Sequence, residues 1–405
     1  MGFRFLFAYY ALFAATLFST GPGEGWLTLA KPWHLLVRWT GKHLLHVAGE
    51  IRTEFTGSGD RLYDWLLCAI CLAIAAAAML VWSIVDRRRA RYDRLAALLR
   101  VGLRYHLALS MFSYGFAKVF KLQFPAPGPG RLSELVGDLS PMGLLWTFMG
   151  ASTAYSVVAG GVEVLGGLLL LFRRTTTLGA LVVAGVMTNV ALLNFSYDVG
   201  VKLFSLHLLV TALVLIVPEA RRLADLLVLH RPTTPRPFAW VPKTARWRWA
   251  RRISKAILVV FLVGGQVRQG LKAAALFGDR APKPAGYGSY DVEAQTRDGK
   301  PVALLPTDPT WFRSGFIDRH WSGLRDGAGI GLIIDLPPRE GLVDAILPGQ
   351  QAHGQMRFTR PDPQRIVLEG AIGGENLLVR LKRRDTPSLL ESRGFHWVNE
   401  APFNR

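Results

Sequence analysis

The chain has 405 residues, of which 50% are hydrophobic and 19% are charged, and its formal net charge is +19. Soluble domains average roughly 25% charged residues and confine their apolar residues to periodic stripes. Here the apolar residues come in long blocks. This composition excludes a disordered chain, a fibrous repeat and an ordinary soluble enzyme.

The positive charge is concentrated between the apolar blocks. Residues 219–255 carry ten Lys and Arg against two acidic residues, and residues 86–100 carry six against two. Residues 278–405 are almost neutral, with 17 basic and 16 acidic residues. Basic clusters beside apolar blocks are typical of membrane orientation signals. We therefore expect the lipid bilayer as a partner and no nucleic-acid partner.

Seven blocks approach the length of about 20 largely apolar residues that a membrane-spanning helix needs. They are residues 3–20, 66–85, 99–120, 144–172, 177–194, 202–217 and 253–277. The seventh is the least regular, because Gln266, Arg268 and Lys272 interrupt its apolar run. The first is short enough for a signal peptide, but no small-residue cleavage site follows it.

Strict alternation of seven spans from a cytoplasmic N-terminus places every dense basic cluster in the cytoplasm. The C-terminal region then lies outside the cytoplasm. We therefore expect a multi-pass protein of the plasma membrane whose N-terminus is cytoplasmic and whose C-terminal domain is extracytoplasmic.

The segments between the spans differ in character. Residues 26–48 combine Trp, Leu and basic side chains and predict an amphipathic stretch at the membrane interface. Within residues 219–252, the stretch from Arg231 to Arg252 contains prolines that disfavour a helix, and its interleaved Trp and Arg suit an anionic lipid surface. The prolines are Pro232, Pro235, Pro237 and Pro242. We interpret this segment as a basic cytoplasmic linker.

From Gly286 onward the pattern changes to short alternating runs separated by turn signals such as Asp298-Gly299 and Gly373-Gly374. Residues 330–336, 355–359, 365–368 and 377–381 have the length and β-branched content of strands. The pattern predicts a small antiparallel β barrel or sandwich. The predicted fold class is an all-α transmembrane bundle of about seven helices, followed by this β domain.

Ionisable residues inside a membrane span are costly, so each one is a candidate functional residue. The third span contains His106, Tyr114 and Lys118, and the fourth contains Glu163. Asn194, Asp198 and Lys202 lie around the junction of the fifth and sixth spans. These seven residues are the candidate ligand-binding residues, and no catalytic residue is identified.

Structural alternatives stay open for these residues. Lys118 and Lys202 reach the membrane interface if their side chains extend along the helix, and Asp198 and Lys202 are spaced for a local ion pair. Glu163 lies near mid-depth, where an acid must be protonated or paired. The fourth span also carries a small, polar face formed by Ser152, Ser156, Ala159, Glu163 and Gly166, which is typical of a helix-packing surface.

The chain has two cysteines, Cys68 and Cys71, spaced as C-x-x-C in the second span. This spacing makes them redox candidates, although Cys is also common in apolar helices. The histidines lack a ligand-spaced partner set, so no metal site is predicted.

Residues 104–218 resemble the DoxX-like family of small bacterial membrane proteins. The resemblance lies in Tyr114-Gly115-Phe116-Ala117-Lys118, Gly161-Val162-Glu163, the run from Leu168 to Arg174, and Asn194 to Lys202. It implies a four-helix transmembrane bundle in the bacterial inner membrane. This chain resembles a longer subgroup with two extra N-terminal spans and a C-terminal β domain.

The predicted domains follow from these boundaries: residues 1–98 with two spans and an outer amphipathic loop, 99–218 as the DoxX-like bundle, 219–252 as the linker, 253–277 as the seventh span, and 278–405 as the β domain.

Dense polar and aromatic residues at the C-terminus, such as Arg393 and Trp397, either cap the β domain or form a binding surface.

The resemblance implies a membrane component of a redox or envelope-assembly complex, with protein partners in that complex. A quinone or lipid-like ligand is the candidate for the bundle, with Glu163 accepting a proton and Lys118 orienting an oxygen. The alternative is a non-enzymatic membrane scaffold or small-solute carrier. An enzyme acting through Cys68 and Cys71 is a third class. The sequence does not decide whether the protein is an enzyme.

Overall fold

A computed structural model describes residues 1–19, 27–54, 56–89, 91–234, 244–303, 311–319, 321–327, 329–335, 340–348 and 351–404. Pro235, Pro237 and Pro242 of the predicted linker, together with Pro337, Pro338 and Arg405, lie outside these residues. The helices are α1 (Gly2–Ser19), α2 (Leu27–His43), α3 (Leu62–Val85), α4 (Asp93–Val119), α5 (Pro129–Leu132), α6 (Pro141–Ala151), α7 (Thr153–Leu171), α8 (Thr176–Ser196), α9 (Lys202–Ile216), α10 (Ala220–Leu227), α11 (Ala245–Phe277) and α12 (Leu389–Ser392).

Within the described ranges, six helical segments are long and apolar enough to cross a membrane. They are α3, α4, α7, α8, α9 together with α10, and α11. The chain is therefore a multi-pass membrane protein, as its composition predicts. α11 includes the irregular seventh span as part of one continuous helix.

Contacts divide the chain into two compact units. The first unit comprises residues 1–115 and 161–266, and the second comprises residues 116–160 and 267–405.

In the first unit, α1 packs along α3, α2 contacts both of them, and α8 packs along α9. Val37 of α2 is fully buried against Tyr63 and Leu66 of α3. The amphipathic segment predicted between the first two spans is thus a helix whose apolar side lies on α3.

Small residues allow close approach between α7 and its neighbours. A Cβ atom at Gly167 would lie 2.9 Å from the ring of Phe112 in α4, and one at Gly166 would lie 2.7 Å from the side chain of Val183 in α8. Glycines at such positions let transmembrane helices pack closely enough for van der Waals attraction to hold them. Gly166 belongs to the small, polar face, which therefore contains a packing surface as predicted.

The predicted fourth span, 144–172, is divided into two helices at Ser152. The backbone of Ser152 is extended, with φ −111° and ψ 107°. Ser152 Oγ accepts the backbone N–H of Tyr155 at 3.2 Å and so caps the start of α7. The two helices are therefore separately capped segments, and 144–172 is not one continuous helix.

Side chains from the second unit satisfy the carbonyl groups freed at the break. Lys121 Nζ donates to the carbonyl of Gly150 at 2.6 Å, and Ser156 Oγ donates to that of Met149 at 2.5 Å. Burial lowers the pKa of Lys121. Unpaired carbonyl groups in an apolar environment are costly, so these two donors make the break tolerable.

The basic linker also differs from the prediction. Residues 246–252, with their alternating Arg and Trp, form the first turns of α11. All four prolines precede this stretch, so nothing in residues 246–252 blocks helical hydrogen bonding.

The C-terminal domain is a closed antiparallel β barrel. Its strands are β1 (Gly288–Arg297), β2 (Lys300–Pro301), β3 (Ser314–Ile317), β4 (Ser322–Arg325), β5 (Ile330–Asp335), β6 (Gly341–Leu347), β7 (Ala352–Asp362), β8 (Arg365–Ile372) and β9 (Glu375–Arg383). β1 and β3 to β9 pair in sequence order, and β1 also pairs with β9. Eight strands thus close the ring, and the two-residue β2 is attached beside β1.

Turn chemistry and alternating side chains specify this barrel. Asp298-Gly299 and Gly373-Gly374 both adopt positive φ angles, which two-residue hairpin turns require. The inward residues, including Leu324, Met356 and Val379, form a single buried core. An eight-stranded barrel is just wide enough for side chains to fill it. The predicted antiparallel β domain is therefore confirmed as a barrel.

Through residue 404, where the description of the chain ends, the C-terminal tail does not form a buried cap on this barrel. Trp397 is 92% exposed, and Arg393 bonds to Asn399 within the tail itself at 2.8 Å.

Candidate functional site

Polar side chains from four helices meet inside the first unit. Tyr9 of α1, Cys68 of α3, His106 of α4 and His207 of α9, together with Phe13, form what we call the His207 cluster. The hydroxyl group of Tyr9 hydrogen-bonds to Nε2 of His207. Cys68 Sγ lies 3.7 Å from the Tyr9 hydroxyl oxygen and 4.0 Å from His207 Nε2.

The tautomer of His207 follows from its backbone contact. Its Nδ1 lies 2.8 Å from the carbonyl oxygen of Leu203, one turn earlier in α9. A carbonyl can only accept, so Nδ1 carries a hydrogen in this arrangement. The neutral ring then accepts at Nε2, and the Tyr9 hydroxyl donates to it. A hydroxyl, an imidazole and a thiol are thus positioned to exchange protons within an apolar bundle.

Phe13 connects His207 with His106. Its ring stacks on the His207 ring at a centroid distance of 4.7 Å and meets the His106 ring edge-on at 5.6 Å. Among the described residues, the buried Nε2 of His106 has no hydrogen-bond partner. A buried polar atom without a protein partner is unusual, so His106 offers a binding position for an additional group.

Glu163 and Tyr114 lie together in a second polar region of the first unit. The Glu163 side chain is buried, and its carboxyl group is close enough to interact electrostatically with Tyr114. The ring of Tyr114 lies 6.0 Å from that of Phe204 in α9. The same two helices, α4 and α9, therefore contribute to this region and to the His207 cluster.

Lys118 lies one turn after Tyr114, near the end of α4. Its side chain is buried, and its ammonium group lies 6.0 Å from the centroid of Phe124. A buried lysine beside an aromatic ring gains a favourable interaction with the face of that ring.

Asp198 and Lys202 form the local ion pair whose spacing the sequence shows. Lys202 Nζ lies 2.7 Å from Asp198 Oδ1 and 3.8 Å from Asp60 Oδ2. Asp60 accepts the backbone N–H groups of Lys202 and Leu203 at 2.7 and 2.9 Å. A carboxylate at this position stabilises the N-terminus of α9.

Asn194 also contacts the backbone near this turn, since its Nδ2 lies 3.5 Å from the carbonyl oxygen of Val201. These contacts hold the α8–α9 connection in place. In the part of the chain that the structure describes, no hydrogen bond or ion pair joins Asn194, Asp198 or Lys202 to the His207 cluster.

Arg104 stabilises the C-terminal end of α7. Its guanidinium group is buried and donates to the carbonyl of Leu170 at 2.8 and 3.0 Å and to that of Leu171 at 3.0 Å. These carbonyls lie in the last turn of the helix, where intrahelical donors are lacking. A cation there also interacts favourably with the helix dipole.

Cys68 and Cys71 are free thiols. Cys68 belongs to the His207 cluster, whereas Cys71 is buried in α3. In the part of the chain that the structure describes, no group of three or more His, Cys, Asp or Glu is arranged to hold a metal ion.

Sequence reasoning missed Tyr9 and Asp60. Tyr9 lies in the first apolar block, and two adjacent tyrosines in that block, Tyr9 and Tyr10, were an available signal. The neighbouring Tyr10 is buried and hydrogen-bonds to Thr211 of α9 at 3.0 Å. Asp60 precedes α3, and no local pattern relates it to α9.

Comparison with known proteins finds similarity over part of the chain. The DoxX family model matches residues 99–195. The uncharacterized protein YwoB of Bacillus subtilis (strain 168) is 35% identical over 121 residues, covering 29% of this chain and 75% of YwoB. No solved structure matches the chain.

Proposed function

The chain belongs to the DoxX family, and on that basis we propose that it is a membrane component of a redox or envelope-assembly complex that binds a quinone or lipid-like ligand. The His207 cluster is the observation that carries this proposal. Ionisable groups inside a membrane are costly and are retained where they work on ligands or protons. Tyr9, His207 and Cys68 place three such groups in mutual contact.

Quinone chemistry suits this arrangement. Reduction of a quinone to a quinol takes up equal numbers of electrons and protons. A redox partner protein in the complex supplies the electrons, and the Tyr9 hydroxyl and the His207 imidazole relay protons to the quinone oxygens. The free Nε2 of His106 binds a carbonyl oxygen as a donor in the tautomer protonated at that nitrogen. Glu163 of α7, which interacts electrostatically with Tyr114 of α4, accepts a proton. Lys118 orients an oxygen of the ligand.

Binding of a short-chain benzoquinone to the full-length protein in nanodiscs tests this proposal. We expect Tyr9→Phe, His207→Gln and Glu163→Gln each to weaken binding by about tenfold, because a hydrogen bond to the quinone or its relay is lost. Tyr155→Phe and His353→Gln are matched controls, since both side chains are exposed and lie outside the cluster. Unchanged binding in all three site variants would reject the proposal.

Variants of the two cysteines distinguish the quinone proposal from thiol-based catalysis. We expect a Cys68→Ser, Cys71→Ser double variant to retain quinone binding. Loss of redox activity in the double variant, with binding intact, would favour the enzyme acting through Cys68 and Cys71.

We propose that the protein lies in the bacterial inner membrane with a cytoplasmic N-terminus and an extracytoplasmic barrel. The supporting observation is the position of the basic clusters between the spans, because cytoplasmic loops carry the excess of Lys and Arg. Topology reporters fused after Val241 and after Arg405 test this orientation. A cytoplasmic signal at Val241 with an extracytoplasmic signal at Arg405 is expected, and two cytoplasmic signals would contradict it.

The second candidate is a scaffold or small-solute carrier. The break at Ser152 favours it, because interrupted helices mark the binding sites of many transporters. Solute uptake into proteoliposomes that is lost in Lys121→Met, while quinone binding is absent, would support the carrier.

A further inference from the structure

The second unit contains a cavity of about 200 Å³ that is separate from the His207 cluster. It lies where the loop after α4, the helix α6, the end of α11 and the β3–β4 turn meet. Pockets for drug-sized ligands measure about 300–1,000 Å³, so this cavity suits a smaller polar ligand.

Two carboxylates line the cavity, and the protein engages each of them through one oxygen. Asp279 Oδ1 accepts the backbone N–H of Ala126 at 2.8 Å. Asp318 Oδ1 accepts that of Arg319 at 2.7 Å. Neither Oδ2 atom has a hydrogen-bond or ion-pair partner within the described ranges. Each carboxylate is therefore held in position and keeps an oxygen for a ligand.

Asp318 is further fixed by Gly128. A Cβ atom at Gly128 would lie 2.1 Å from Asp318 Oδ2, so the carboxylate lies directly against the glycine backbone. A larger residue at position 128 would displace it. This close packing gives a preorganised acceptor, which favours binding because little ordering remains to be done.

Arg319 supplies positive charge to the same cavity. Its Nη2 donates to the carbonyl of Asp279 at 3.0 Å and its Nε donates to that of Ala281 at 3.3 Å. Its Nη1 has no hydrogen-bond partner among the residues described, and the guanidinium group lies over the ring of Tyr287 at 5.3 Å from the centroid. Arg131 adds a second guanidinium group, which pairs with Glu134 at 2.8 Å.

Opposite charges are thus held apart in one cavity. In the part of the chain that the structure describes, no ion pair joins Arg319 or Arg131 to Asp279 or Asp318. Ion pairs between these groups would close the site. Their separation instead matches a ligand that carries a cation and an anion on different atoms.

The aromatic side chains in the lining indicate which cationic group the ligand carries and in which environment the ligand is found. Trp146 and Trp321 line the cavity and are held edge-on by Phe124 and Phe316, at 5.0 and 4.4 Å between centroids. Indole faces attract ammonium groups. Phe277, the last residue of the membrane-spanning α11, is also in the lining. The cavity therefore opens where a spanning helix ends, which is the level of lipid headgroups.

We propose that this cavity binds the phosphoethanolamine headgroup of a membrane phospholipid. Asp279 and Asp318 accept the ammonium N–H groups, Trp146 and Trp321 flank the ammonium, and Arg319 binds the phosphate with additional attraction from Arg131. This site is independent of the quinone proposal, because it shares no residue with the His207 cluster.

Lipid binding to the full-length protein tests the site directly. The protein in detergent is titrated with phosphatidylethanolamine and with phosphatidylglycerol of the same acyl chains, and bound lipid is counted by native mass spectrometry. We expect preferential binding of phosphatidylethanolamine. Asp318→Asn and Arg319→Gln should each reduce it about tenfold, whereas Asp335→Asn and Arg357→Gln, both exposed on the barrel, should not.

Additional measurements distinguish a lipid headgroup from soluble phosphoethanolamine and control for misfolding of the variants. Trp321→Phe keeps the packing against Phe316 and should still weaken binding severalfold if the indole attracts the ammonium. Competition by soluble phosphoethanolamine, but not by glycerol phosphate, would support the headgroup chemistry. Soluble phosphoethanolamine that binds while the lipid does not would overturn the lipid assignment. Equal binding of both lipids, or site variants that behave as the controls do, would overturn the proposal.

Discussion

The hydroxyl group of Tyr9 donates a hydrogen bond to Nε2 of His207, joining α1 to α9 across 198 positions of the chain. Cys68 of α3 lies beside both groups. Three apolar helices that are far apart in the sequence therefore share one polar contact, and its strength can be measured.

We expect Tyr9→Phe and His207→Gln to be energetically coupled. Each single change leaves the other group without its partner, so the double variant should lose less stability than the sum of the single variants. For residues in contact the coupling free energy is about 0.5–3 kcal/mol. Unfolding in one detergent across the four proteins measures it, with Tyr155→Phe as the uncoupled control. Additive losses would show that the hydrogen bond does not stabilise the bundle.

Arg104→Met should destabilise the first unit by about 1–3 kcal/mol, because the carbonyl groups of Leu170 and Leu171 would remain buried without a donor. Arg104→Lys should recover only part of the lost stability, because a Lys ammonium group can donate to fewer of these carbonyl oxygens than the Arg guanidinium group does. Thermal unfolding in detergent measures both. Arg87→Met, at an exposed position, is the control, and an equal effect there would exclude a specific capping role.

Gly150→Ala should destabilise the second unit strongly. A Cβ atom there would lie 2.2 Å from the carbonyl oxygen of Pro125, whereas one at Gly161 meets nothing within 4 Å. Gly161→Ala should therefore be neutral or stabilising by about 0.5–1 kcal/mol, because Ala favours a helix over Gly. Yield and unfolding temperature in detergent distinguish them. Similar behaviour of the two variants would contradict the close approach at Gly150.

The stability of the protein should fall in acid partly through His34 of α2. Burial, followed by the positive charges of Arg38 and Arg61, lowers the pKa of His34 below its ordinary value of 6.5. The unfolded chain then binds the proton more readily than the folded chain. Stability is therefore complete above the ordinary pKa and is lost as the pH falls through it toward the folded pKa.

Unfolding temperatures between about pH 7.5 and about pH 5 check this pH dependence. We expect His34→Gln to reduce the slope, while His353→Gln leaves it unchanged. A slope that is identical in His34→Gln and the original protein would contradict the prediction.

The sequence predicts those features that depend on local patterns. Apolar block length locates the membrane-spanning helices, and Asp298-Gly299 and Gly373-Gly374 mark hairpins because their positive φ angles follow from residue type. The Asp198–Lys202 pair is also visible, since its members are one helical turn apart.

Features that depend on distant contacts were not predictable. Residues 144–172 have the length and hydropathy of one span, and the break at Ser152 is stabilised by Lys121, which precedes it by many residues. Similarly, Tyr9 becomes a candidate site residue only when α1 is placed against α3 and α9. Hydropathy predicts whether each block lies in the membrane, but it contains no information on which blocks are neighbours.

Ring closure of the barrel restricts how another protein can bind to it. Because β1 pairs with β9, each of the eight ring strands has a neighbour on both sides. Among the strands that the structure describes, only the two-residue β2 lies outside the ring. An incoming peptide therefore has almost no main-chain hydrogen-bonding groups to extend. Any partner of this domain would therefore have to bind through side chains and loops, so surface substitutions would change that binding without disturbing the strands.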